Sequence, residues 1–244
     1  MITIKNPHSL RAALKNRPGD IKKISASPRY KSLLDRKEKN DPWCEVLLAA
    51  KSEKIPIQFE MIKKNDSDGR SETVTAQVLE KQPVSLEKLF QNIDPNKPSI
   101  YLALDCIQDP QNLGSIFRTA SFFDIKGILM TEERSCSLTS TVYDVASGGV
   151  ESISFAIETN LKQAIDAAKA SHLWVLGTSE HAKDSLFKLT ADRPWLLVLG
   201  NEEKGLRQLT QKSCDMMCTI PQKGEVSSLN VSVAAAISIS HFSK

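Results

Sequence analysis

Three short segments of this 244-residue chain hold the side chains best placed to do chemistry: 109–119 (DPQNLGSIFRT), 197–206 (LVLGNEEKGL) and 220–236 (IPQKGEVSSLNVSVAAA). Each sets polar residues and a glycine between an apolar run and a helix-forming stretch. A helix start offers unpaired backbone N–H donors, so a ligand can be gripped there by main chain alone. The third segment says most, because Ser228 and Asn230 open a helix that is otherwise small and apolar. Asparagine is a poor helix former, and a polar side chain heading a buried helix needs a partner.

Each feature also has a plainer reading. Ser227 or Ser228 suits an ordinary helix cap, Arg118 a surface position, and GNEEKG a strand-to-helix turn whose acids favour a helix N-terminus. Taken together, Asn112, Arg118, Glu202, Ser228 and Asn230 follow the apolar runs YLAL, WLLVL and MCTI. That arrangement points to one composite site at the edge of a parallel sheet. The glycine run is neither a Walker A loop nor a G-x-G-x-x-G fingerprint. The histidines at 8, 172, 181 and 241 stand in no triad-like constellation. Five cysteines lack C-x-x-C spacing, so reduced thiols are expected, with no disulfide framework and no metal site.

The elements that must position these residues are legible from Ser99 onward, where apolar strand-like runs alternate with helical periodicity. This order predicts an α/β fold with a mainly parallel sheet and helices on both faces. Residues 1–80 read as a small mixed α/β domain, the proline-punctuated stretch 81–98 as a linker, and 99–244 as a second domain. The polar stretch 63–72, KKNDSDGRSE, reads as a solvated loop whose charges are able to touch a phosphate backbone.

An apolar share of 41% suits a globular core, which excludes a disordered or fibrous chain. With 32 basic against 29 acidic residues, the net charge of +3 is too small to indicate nucleic-acid binding by itself. No run approaches the ~20 apolar residues of a membrane span, and the first residues lack a secretory h-region. A soluble, cytoplasmic protein is expected.

The motifs themselves are N-x-G-x-x-x-R-T at 112–119, L-G-N-E-x-x-G at 199–205 and I-P-x-x-G-x-x-x-S-L-N-V-S-V-A-A-A at 220–236. In that order and spacing they resemble the three motifs of the SpoU, or TrmH-like, branch of the SPOUT RNA methyltransferases, over about residues 98–244. The N-terminal part is similar in size and layout to the small substrate-binding domain of the RlmB-type members. This resemblance implies S-adenosylmethionine-dependent methyl transfer to a ribose 2′-hydroxyl, in large-subunit ribosomal RNA ahead of transfer RNA. A non-catalytic RNA-binding protein that kept the fold is the alternative.

The resemblance further implies a C-terminal trefoil knot and a homodimer with its sites near the subunit interface. Asn112, Arg118, Glu202, Ser228 and Asn230 fall on the catalytic positions. Gly200, Ile220 and Leu229 fall on backbone contacts to the cofactor, with Gly177 and Thr178 nearby. Arg118 corresponds to the family's favoured proton acceptor. A guanidinium keeps its proton, however, so binding the adjacent phosphate and stabilising alkoxide charge is the physically easier role. One departure is Asn201, where alanine or glutamine is more common.

Overall fold

The computed structural model describes residues 1–35, 41–61, 74–201 and 203–243. The loop expected at 63–72 and the candidate residue Glu202 lie outside them. In chain order the elements begin with β1 (Ile2–Ile4), α1 (Pro7–Asn16), β2 (Ile21–Ala26), α2 (Arg29–Asp35), α3 (Pro42–Ser52), β3 (Ile57–Phe59) and β4 (Val74–Val78). There follow α4 (Leu86–Leu89), β5 (Ser99–Leu104), α5 (Pro110–Phe122), β6 (Gly127–Thr131), α6 (Ser140–Ala146), α7 (Gly149–Ser152) and β7 (Phe155–Glu158). The last are α8 (Leu161–Ala170), β8 (Trp174–Thr178), β9 (Asp184–Ser185), β10 (Pro194–Leu199), α9 (Gln208–Ser213), β11 (Met216–Thr219) and α10 (Val231–Phe242).

These elements form two compact units, Met1–Lys81 with Leu138–Ser152, and Gln82–Ser137 with Ile153–Lys244. The first unit holds a four-stranded sheet in the order β1-β4-β2-β3, antiparallel except for the β2–β3 pair. Helices α6 and α7, which lie within the 99–244 stretch, pack on β1 and α1. Polar contacts fix them there. Ser9 Oγ donates to the Tyr143 carbonyl at 2.6 Å, and Asp144 accepts from the backbone of Lys5 at 2.8 Å and Asn6 at 3.1 Å. Arg17 clasps Glu151 through two bonds of 2.7 Å, with the glutamate side chain fully out of solvent. Lys81 Nζ donates to the carbonyls of Val150 and Glu151, and burial lowers its pKa.

The second unit carries a seven-stranded sheet, β7-β6-β5-β10-β8-β11-β9, and every pair in it is parallel. Alternate residues of each strand face opposite sides. Tyr101, Ala103, Leu196 and Val198 meet Leu161, Ala164, Ile165 and Ala168 of α8. On the other side Phe117 of α5 packs edge-on against Phe155, and Phe242 of α10 lies tilted against Trp195. The expected layering, a parallel sheet with helices on both faces, is what the structure shows. Strands β1 and β9 and helices α2 and α7 were not anticipated, being too short to develop a clear period.

Glu151→Ala leaves the half-buried Arg17 guanidinium without its main carboxylate, a change that costs about 3–5 kcal/mol for a broken buried pair. At roughly 2–4 °C per kcal/mol for a chain of this size, calorimetry should register a melting transition lowered on the order of 10 °C. An unchanged transition would mean that the pair does not hold α7 in place.

Candidate active site

Helix α5 starts where Asp109, as N-cap, accepts from the Gln111 backbone N–H at 2.8 Å, with Pro110 in the first turn. Its buried stripe, Leu113, Ile116, Phe117 and Ala120, recurs at helical spacing. Asn112 stands one turn before Ile116 on the same side and is only 7% exposed. It is therefore inside the helix's first turn, not in the preceding loop.

The third segment reaches Asn112 from the other end of the domain. Asn230 Nδ2 donates to Asn112 Oδ1 at 2.9 Å, and α10 packs against α5. Asn230 is itself the cap of α10, its Oδ1 accepting from the Ser232 backbone at 2.9 Å and from Ser232 Oγ at 2.6 Å. The capping role open to Ser227 or Ser228 is thus taken by Asn230. Ser228 is exposed, and among the described residues its side chain makes no hydrogen bond.

The second segment folds as a tight loop. Asn201 and Gly205 exchange backbone hydrogen bonds of 3.1 and 2.9 Å, which Gly205 permits by adopting a φ of +63°. Asn201 Oδ1 accepts from the backbone of Glu203 and Lys204, both at 3.1 Å, while its Nδ2 donates to the Cys106 carbonyl at 2.9 Å. The asparagine that departs from the family pattern thus folds the loop and ties it to the end of β5. Gly200 has a stricter demand, because a Cβ there would stand 2.3 Å from the Gly205 carbonyl carbon and 2.4 Å from Leu206 N.

Gly177 and Thr178 end β8, next to Val198 on one side and Met217 and Cys218 on the other. A Cβ at Gly177 would stand 2.5 Å from Met217 Sδ, so close packing explains that glycine, and Thr178 Oγ1 donates to the Val198 carbonyl at 3.1 Å. Burial raises the Cys214 and Cys218 thiols to about 12, so both stay protonated and are poor nucleophiles. Ile220, half-buried, and Leu229, 48% exposed, follow β11. The carboxyl ends of β10, β8 and β11 lie side by side and form a shelf of adjacent strand ends.

Arg118 is not joined to the Asn112–Asn230 pair. It lies six residues on, about 9 Å along the helix at about 1.5 Å per residue, on the face that also presents Phe122. It is exposed and without a hydrogen bond or ion pair among the described residues. One residue is a site candidate that sequence reasoning missed. Asp105, directly after β5, is fully buried, and its carboxylate accepts from Thr210 Oγ1 at 2.8 Å and Arg207 Nε at 2.7 Å. The sequence signal was an acid immediately after an apolar strand.

A sequence model of the SpoU rRNA Methylase family matches residues 99–240. The chain belongs to that family. It is 39% identical over 153 residues to the Nitrosomonas europaea protein named 23S rRNA (guanosine-2'-O-)-methyltransferase RlmB, a match covering 63% of this chain and 58% of that protein. The Pseudomonas putida protein of the same name is 31% identical over 94% of this chain and 91% of its own length. Among solved structures, the SpoU methyltransferase AviRb from Streptomyces viridochromogenes, in complex with AdoMet, superposes with a TM-score of 0.76 at 18% identity, covering 99% of this chain and 88% of that one. That likeness is one of fold.

Gly200→Ala should cost about 1–3 kcal/mol, the usual penalty of overpacking, because its neighbours are backbone atoms with no freedom to rotate away. A lower urea midpoint and faster amide exchange over residues 200–206 would report it. A midpoint equal to that of the parent protein would show that the loop relaxes without cost.

Proposed function

We propose that this chain is an S-adenosylmethionine-dependent methyltransferase that modifies a ribose 2′-hydroxyl of large-subunit ribosomal RNA. The observation that carries this reading is the Asn112–Asn230 hydrogen bond, which unites the first and third family motifs across 118 residues. The names of the full-length relatives supply the substrate class.

When bound, S-adenosylmethionine supplies a methyl group already activated by its sulfonium, so the protein's task is alignment. Backbone groups at Gly177, Thr178, Gly200, Ile220 and Leu229 hold the cofactor on the shelf at the strand ends. An adenosyl group suits a surface of main-chain polar groups with apolar Ile220 and Leu229 at its side. Asn112 and Asn230, each fixing the other's amide, orient the ribose together with Ser228 and Glu202. Arg118 binds the neighbouring phosphate and stabilises negative charge developing on the 2′-oxygen.

The remaining assignments are of the same standing. The first unit binds RNA, for which exposed Arg11, Lys15, Lys22, Arg29 and Lys31 supply phosphate-attracting charge. The chain after β11 threads into a trefoil knot, a reading supported by its return past β8 and β10 to reach α5. The protein acts in the cytoplasm as a homodimer. Helix α10 carries no Asp, Glu, Lys or Arg, and its Val233 is exposed, as are Leu229 before it and Phe122 on the packed helix α5. Apolar side chains exposed on both packed helices call for cover. A second copy provides it and encloses Arg118, one turn from Phe122.

Arg118→Ala should lower methyl transfer by about a hundredfold or more, the scale of losing one charge-stabilising donor, with S-adenosylmethionine affinity kept within about twofold. Equal loss of cofactor binding would contradict that division of roles. Val233→Asp should convert a dimer to a monomer in sedimentation velocity; a variant as dimeric as the parent would place the interface elsewhere. Mapping ribose methylation in cells lacking the protein tests the whole reading. Loss at one large-subunit nucleotide is expected. A change confined to transfer RNA would reassign the substrate, and no change despite cofactor binding would make this an RNA-binding protein.

A further inference from the structure

Asp105 is 0% exposed and follows the last residue of β5. Its backbone N–H donates to the Leu199 carbonyl at 2.8 Å, the residue just before the 200–206 loop. Its carboxylate reaches past the other end of that loop. Oδ2 accepts from the Arg207 backbone N–H at 3.2 Å and from Thr210 Oγ1 at 2.8 Å, and Oδ1 from Arg207 Nε at 2.7 Å. Cys106 Sγ adds a weaker contact at 3.4 Å. A single buried side chain thus fastens the chain after the loop to the strand that its own backbone fastens before it.

We propose that Asp105 is a positioning residue for the reaction: it sets the conformation of Gly200, Asn201 and residues 203–206 and, through them, the backbone surface that takes S-adenosylmethionine. The ligand in this statement rests on the proposed function; the mechanical role does not. A carboxylate removed from water must have its acceptor sites filled, so it holds Arg207 and Thr210 where they are. Apart from Leu206, which is buried in the core cluster, the described loop residues are polar or glycine, and such loops otherwise belong to the low-stability end of a fold. The Asp105 clasp moves the loop out of that class, giving a ligand a surface already formed. The variant Asp105→Asn nearly preserves shape. It removes the charge and turns an N–H donor towards the donors of Arg207 or Thr210, so one of these contacts must open.

The test compares the full chain with Asp105→Asn, Arg207→Met, the double variant, Thr210→Val, and Ile128→Ala, a core truncation in β6 away from the loop. Amide exchange over 199–211 without ligand, S-adenosylmethionine dissociation constants and melting temperatures are measured on each. Asp105→Asn should speed exchange over 199–211 about tenfold, with α8 and β6 unchanged, and raise the dissociation constant about tenfold, as expected when a preformed surface is lost. Arg207→Met should add little to Asp105→Asn, since both break one network. Ile128→Ala should lower the melting temperature yet leave loop exchange and cofactor affinity at the parent values. If Asp105→Asn does not fold, Thr210→Val carries the test, with a change of about threefold in the same direction. Parent-like loop exchange and affinity in the Asp105 or Thr210 variant, or an equal effect of Ile128→Ala, overturns the proposal. A parent protein that fails to bind S-adenosylmethionine sinks the functional reading instead, and the ligand-free exchange still decides the role of Asp105.

Discussion

The parallel pairing of β10 with β5 is the constraint on which the candidate site depends. It sets Leu199 beside Leu104, so two segments nearly a hundred residues apart end at the same level of the sheet. From β5 the sheet order runs to β6 and β7 on one side and to β10, β8, β11 and β9 on the other. The β5–β10 seam is therefore the point at which successive connections diverge, the place where open parallel sheets leave a crevice for ligands. Both α5 and the 200–206 loop depart from that seam.

At the carboxyl end of the seam the buried polar side chains have their bonding supplied, whereas Trp195 Nε1, at the opposite end of β10, is buried without a hydrogen-bond partner among the described residues. Asn230 uses its oxygen to cap α10 and its amide nitrogen to reach Asn112, so one side chain both starts a helix and docks it. Asn201 divides its amide between folding its own loop and holding the carbonyl of Cys106. Asp105 spends both oxygens on the start of α9. Since an unmade bond in such surroundings costs about 1–3 kcal/mol, these residues specify one arrangement of the strand ends over slipped alternatives. The first unit uses the same device, with Glu151 buried against Arg17.

The glycines of the shelf are not interchangeable. Gly177 yields space to the sulfur atoms of Met217 and Cys214, side chains with some freedom to move. Gly200 yields space to the main chain of Gly205 and Leu206, which has none.

What could be read from the residues alone was local. The apolar runs YLAL, WLLVL and MCTI announced strands, and the three motifs announced the family, because period and spacing are properties of contiguous chain. Tertiary structure decided the rest. It chose Asn230 over Ser227 or Ser228 as the cap, carried α6 and α7 into the N-terminal unit, left Arg118 apart from the asparagine pair, and buried Asp105 against Arg207 and Thr210. Each of these outcomes is a contact between groups distant in the chain, and no periodicity encodes which of several polar side chains will find a partner once the strands are aligned.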